Sequence, residues 1–247
     1  MPNKKILQLA ITLIAFYIFS PAKAQTYSIQ SLNGKKVDIS LSYKSFNKRL
    51  TISCLQDTLY LNEYTGTKKV SILADKFLQI TYGLRAGTGL ELQNTAIISV
   101  ANNKIKVSLL IQSYVNGLSP VPGNTTAIGE EWLYELKINV NERENHIHKL
   151  AVDIHQQQKS TLHPRINYNT RKQVFLTFDS KQYIFYSDYE YIDKSFAIFD
   201  NQNHNISSRH IKEASPVITL GEEKYYYLKD EWYKADYQGR LYKEYYR

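Results

Sequence analysis

One cysteine, Cys54, stands in a chain of 247 residues, so no disulfide forms within it and a disulfide-stapled scaffold is excluded. Cys54 closes the segment Leu50-Thr-Ile-Ser-Cys54 in phase with Leu50 and Ile52. That phase puts it on the buried side of a strand as a small hydrophobe, whereas an activated thiol needs exposure and a basic neighbour. The 31 basic and 23 acidic residues occur singly or in short groups, with no run of five like charges. A nucleic-acid surface gathers its cations on one stripe, so nucleic acid is not an expected partner. The glycine-rich stretch Gly83-Leu-Arg-Ala-Gly-Thr-Gly89 lacks the Lys-Ser/Thr tail of a phosphate loop, and no helical pattern follows it. His146 and His148 share one side of a strand, with Asp153 and His155 behind them. His155 has the opposite parity, so three ligands do not converge. No metal, no other cofactor and no catalytic set is expected: there is no paired-carboxylate motif and no nucleophile elbow.

Long apolar runs are also missing, except at the start. Lys4-Lys5 precede the apolar stretch Ile6–Phe19, and Ser20-Pro-Ala-Lys-Ala24 ends in a small-residue cleavage pattern. Residues 1–24 read as a secretory signal, whose apolar stretch is too short for a membrane span of about 20 residues. Cleavage leaves Gln25 first and removes Lys4, Lys5 and Lys23, lowering the net charge from +8 to +5. The expected location is periplasmic or secreted, with no membrane-spanning segment once the signal is gone.

What remains is alternation. Val37–Tyr43, Arg49–Leu55, Thr58–Asn62 and Lys69–Leu73 read as short strands, with Tyr64–Thr67 a loop. Phe77–Tyr82, Leu90–Val100 and Lys104–Gln112 form the densest apolar block. Asn102-Asn103 marks a two-residue hairpin, because asparagine tolerates the positive φ that both central positions of a type I′ turn require. Trp132, Tyr134, Leu136, Ile138 and Val140 alternate with Leu133, Glu135, Lys137 and Asn139, a period of two that means strand. Residues 116–129, with two prolines and three glycines, read as the clearest loop and a possible subdivision. Residues 156–169 read as polar and irregular, and Ser207–Ala214 as the one short helical turn.

Tyrosine is the abundant residue, 21 in all, concentrated after Tyr168. A weak repeat lies there too: 174–191 aligns on 216–233 without gaps, and Asp200–Asn203 resembles Asp236–Gly239, defining units 174–206 and 216–246. The expected fold is therefore all-β. Residues 25–247 form a single domain of antiparallel meanders and hairpins in a sandwich or an open barrel-like sheet system, with almost no helix. A small propeller is the alternative that the repeat spacing suggests. The expected role is an exported, soluble, non-catalytic module that binds a glycan or a cell-envelope protein through a tyrosine-rich C-terminal sheet. Tyr225, Tyr227 and Trp232 are its candidate contacts, since aromatic faces suit sugars and partner proteins. Arg85, set between glycines, is a candidate anion contact. The rivals are a hydrolase on a β scaffold, drawing on Arg85, His146, His148, Asp188 and Asp230, and an outer-membrane barrel.

Overall fold

A computed structural model describes residues 24–44, 48–144, 147–200, 204–243 and 245–246. The expected signal, apart from Ala24, and His146 lie outside them. Of the chain, 77% is strand and 1% helix, which makes the fold antiparallel all-β as expected.

Sheet A is the meander β1 (Gln25–Gln30), β2 (Lys36–Lys44), β3 (Arg49–Cys54) and β4 (Asp57–Leu61). The C-terminal β18 (Tyr245–Tyr246) pairs with its β4 edge. One side of this sheet is the apolar set Ile39, Leu41, Leu50, Ile52, Cys54, Leu59 and Leu61. Sheet B has eight strands in chain order: β5 (Tyr64–Leu73), β6 (Phe77–Leu84), β7 (Leu90–Ala101), β8 (Lys104–Val121), β9 (Asn124–Glu144), β10 (Ile147–Ser160), β11 (Tyr168–Asp179) and β12 (Ile184–Tyr186). Both of these sheets are open.

Sheet A packs across β6–β8, and that explains the dense apolar runs. Asn94–Ala101 of β7 and Val107–Ile111 of β8 are buried without a break, because both of their faces are covered. The β7–β8 hairpin turns on Asn102 (φ 51°) and Asn103 (φ 62°), with Ala101 opposite Lys104, as expected. The turn also anchors sheet A: Asn102 N–H donates to Asn33 Oδ1 at 2.9 Å, and Ile105 N–H to Asp57 Oδ2 at 2.7 Å. Phe77, on the other face of β6, meets His148, Phe178 and Phe185 at ring separations of 5.3, 5.2 and 5.1 Å. The proximal ends of β10–β12 thus turn back over β6.

The last third closes into a small barrel of β13 (Asp188–Phe199), β14 (Asn205–Leu220), β15 (Glu223–Leu228), β16 (Glu231–Ala235) and β17 (Leu241–Lys243). A parallel pairing, Ile198 with Leu241 and Phe199 with Tyr242, seals it. Ile192, Phe196, Ile211, Val217, Tyr226, Tyr233 and Leu241 fill the inside. The interior of this barrel is apolar, whereas the lumen of a membrane-spanning barrel is polar.

Four expectations change. Residues 116–129 are not a loop: β8 runs to Val121 and β9 starts at Asn124, leaving Pro122-Gly123 as a two-residue turn, with Gly123 at φ 80°. Pro120 sits at a register shift, where the missing N–H interrupts the ladder least. Residues 156–169 are irregular only in the middle: 156–160 end β10 and 168–169 begin β11, with the connection and its 3-10 turn at Pro164–Ile166 between them. Ser207–Ala214 is strand, paired along its length with β13. Tyr64–Thr67 opens β5, and bulges at Tyr64/Gly66 and Thr67/Lys69 absorb its glycine.

The two turns of the weak repeat share a hydrogen-bond pattern, but the units build no propeller. Asp200 and Asp236 each donate their N–H to the carbonyl four residues on, at 3.0 Å, and each accepts that residue's N–H on Oδ1 at 2.9 Å. Residues 201–203 lie outside the described set. The first unit straddles two sheets, since β11 and β12 belong to sheet B and β13 and β14 to the barrel.

Candidate functional site

The expected aromatic binding strip is interior. Tyr225, Tyr227 and Trp232 are 1, 7 and 0% exposed. The cause is that β15 is covered on both sides. Tyr226 and Leu228 point into the barrel, while Tyr225, Tyr227 and Trp232 pack in the main core against β8. The parity separating Tyr226 from its neighbours holds, but it divides two cores instead of an inside from an outside.

The reason lies in β8. It pairs with β9 only from Tyr114 to Val121, so no β9 ladder covers that edge from Lys104 to Ser113. The barrel covers it instead. Trp232 Nε1–H donates to the Val107 carbonyl at 3.1 Å, and the Gln112 N–H donates to the Tyr225 hydroxyl at 2.9 Å. Lys234 Nζ bridges Gln112 Oε1 and the Glu223 carboxylate at 2.7 Å each.

Arg85 is exposed in the β6–β7 loop, with its N–H on the Glu63 carbonyl at 3.2 Å. Asp188 caps the start of β13, Asp230 (φ 66°) sits in the β15–β16 turn, and His148 lies among Phe77 and Phe178. The structure does not bring these residues together.

It brings others together. On the face of sheet B away from sheet A, Gln93, Tyr114, Glu135, His155 and Arg171 are successive cross-strand partners from β7 to β11. The next row of the outer strands is Lys137, Asp153 and Gln173. Where β9 leaves β8, a cleft of about 340 Å³ opens. Gln79, Thr81, Gln93, Thr95, Ser113 and Tyr114 line one side of it, and Lys137, Ile138 and Asn139 the other. It adjoins a depression of about 510 Å³ over Asp153, His155, Arg171 and Gln173, and both share Glu135 and Lys137.

The polar groups are pre-positioned. The hydroxyls of Thr81, Thr95 and Ser113 form a chain with links of 2.9 and 2.8 Å. Asp153 accepts the Asn139 amide at 3.1 Å on one oxygen and the Gln173 amide at 2.6 Å on the other, and a His155 ring nitrogen lies 3.1 Å from Asn169 Oδ1. Amides therefore hold the Asp153 carboxylate on both oxygens. Among the described residues no group of three or more His, Cys, Asp or Glu side chains is arranged to hold a metal. Parity was the signal for this face: Glu135, Lys137, Asp153 and His155 all alternate with core residues. Register across five strands was the part that no linear pattern carries.

A second constellation lies on the barrel exterior. Ser195 Oγ is 3.2 Å from His210 Nδ1, and His210 Nε2 is 2.8 Å from Asp193, which also meets Lys212 at 3.3 Å. All of these side chains are exposed on the β13–β14 ladder.

Comparison with protein-family models, curated proteins and solved structures finds no match to the chain.

Proposed function

We propose that the protein is an exported, non-catalytic binding module of the cell envelope, and that its ligand is a neutral polyhydroxylated chain, a saccharide, held on the polar face of sheet B. One observation carries this reading. One side of the cleft beside β9 is lined by uncharged groups that both donate and accept, namely Gln79, Thr81, Gln93, Thr95, Ser113 and Tyr114, with Lys69, Glu135 and Lys137 completing the lining, and the cleft runs on into the depression over Asp153 and His155. Sugar hydroxyls are donors and acceptors at once, and planar amides and hydroxyls answer both roles without a net charge to desolvate. The signal-like start supports export, and fractionation of expressing cells tests it.

The binding test is titration calorimetry against a panel of envelope and plant oligosaccharides. Gln93→Ala with Tyr114→Phe is expected to weaken binding about tenfold or more, the effect of losing one or two good hydrogen bonds. No binding to any saccharide, or unchanged binding by that variant, refutes the reading. The hydrolase reading retains Ser195, His210 and Asp193 as its support. Ester or oligosaccharide cleavage that disappears in Ser195→Ala would replace the binding proposal with that one.

A further inference from the structure

The distal ends of β8–β11 carry a surface that meets the saccharide site only at Arg171, Lys172 and Gln173. Tyr168–Gln173 of β11 are exposed on both faces of the sheet. Leu118, Ile128, Trp132, Leu162, Ile166 and Tyr168 are all exposed large apolar residues in this one region. Trp132 and Tyr168 flank Gln158 in a single cross-strand row, and Leu118 pairs with Glu131 in the adjacent row, which points to the opposite face. Thr161 ties the β10–β11 connection to β9, its N–H donating to the Gly129 carbonyl at 2.9 Å, so that Leu162 follows directly beside the Ile128–Gly129 segment.

Charge accompanies the apolar groups. From Ile154 to Phe178 the chain has no acidic residue, and it contributes Lys159, Arg165, Arg171 and Lys172. Three acids on β9 face this segment: Glu131 is neutralised by Lys159 at 3.7 Å, Glu130 accepts the Ser160 hydroxyl at 3.4 Å, and Glu135 lies opposite His155 in the polar row.

We propose that this sheet end docks on a lipid surface bearing negative charge. Tryptophan and tyrosine beside lysine and arginine are the side chains that partition to a headgroup boundary, with rings in the apolar layer and cations among the phosphates. Apolar groups on both sheet faces and across the connecting turn suit insertion into a fluid layer, whereas a folded partner would cover one face. The docking is peripheral and needs no membrane-spanning segment.

Of the two tryptophans, Trp132 is 37% exposed and Trp232 is 0%, so a change of emission on binding reports on Trp132, with Trp132→Phe as the control. The experiment is co-sedimentation of the full chain with phosphatidylcholine vesicles, with and without phosphatidylglycerol, read alongside tryptophan emission. Partition is expected to rise about tenfold or more with the anionic lipid and to fall with salt. A blue shift should accompany it and be absent in Trp132→Phe. Leu162→Ser with Ile166→Ser should abolish binding, and Arg165→Gln with Arg171→Gln and Lys172→Gln should remove the preference for anionic lipid. Circular dichroism of each variant verifies the fold. Equal partition to both vesicles, no partition to either, or variants that bind like the parent would overturn the proposal. So would self-association in sedimentation velocity that these variants remove without any vesicle binding, since the patch would then join two copies of the chain.

Discussion

Both tryptophans cover β8, one at each end, and they do opposite things there. Trp232 arrives from the barrel, hydrogen-bonds the Val107 carbonyl and is sealed in the core. Trp132 lies on the neighbouring strand, flat over Gly117, and keeps more than a third of its surface in water. The inner end of β8 is short of a neighbouring strand, and its backbone groups need partners that the barrel's aromatics supply. The outer end is laddered by β7 as far as Gly117 and by β9 from Tyr114 to Val121. Its aromatic ring has no structural debt to settle and is left for the surface.

Four experiments press on this difference. Trp232→Ala should have the largest effect, because it removes a buried ring and strands the Val107 carbonyl. A loss of about 3–5 kcal/mol is expected in urea unfolding, and Trp132→Ala should cost much less. Equal losses would erase the distinction between the two ends. Tyr225→Phe keeps the ring but leaves the Gln112 N–H without its acceptor, an expected cost of about 1–3 kcal/mol in the same assay.

The third experiment uses pH. Burial, reinforced by the charge of Glu223, holds the Tyr134 phenol above its ordinary value of 10.0. Burial and a 2.8 Å bond to Glu231 do the same for Tyr233, and partial burial and a 2.7 Å bond to Asp179 do so for Tyr189. In the unfolded chain these phenols ionise near pH 10, while the native state still holds their protons. Above that pH the unfolded state therefore binds fewer protons and stability falls. The urea midpoint should be level near neutrality and drop above about pH 10, as pH climbs toward the raised native values, and Tyr134→Phe should shallow the drop. A midpoint insensitive to alkali would show that the seam phenols titrate freely.

The smallest effect belongs to Gly117→Ala. A Cβ there would lie 2.0 Å from the Trp132 ring, but a half-exposed ring can swing aside. We expect about 1 kcal/mol or less, with a change in Trp132 emission as the clearer sign. A large global loss would place Trp132 in the core economy after all.

Much of the fold was legible because single strands announce themselves. Asn102-Asn103 located a hairpin, Leu50-Thr-Ile-Ser-Cys54 placed Cys54 at 2% exposure, and Trp132–Val140 declared its period. Burial also pushes the Cys54 thiol up, with Asp57 and Asp38 adding to the effect, in keeping with an inert side chain. What stayed hidden depends on partners distant in the chain. Pro120, Gly123 and Gly129 have loop chemistry, yet the β8–β9 hairpin carries them as strand and tight turn. Tyr225, Tyr226 and Tyr227 showed two faces but not that both are covered, since the covering of one is β8, more than a hundred residues away. The polar face exists only as a register of five strands, so Gln93, Tyr114, Glu135, His155 and Arg171 share no local motif.

The bonds at the seam join residues 125 and 113 positions apart, Trp232 to Val107 and Tyr225 to Gln112. A chain made or exported from its N-terminus would finish β8 long before the segment that covers it arrives. In that interval the Lys104–Ser113 edge is an open template for pairing with another chain. Pairings of such long range form slowly, so the exposure lasts for the length of that wait. Shedding the last twenty residues would make the wait permanent, and would strip β4 of β18 as well. Such a truncated chain should be lost to aggregation before any question of binding arises.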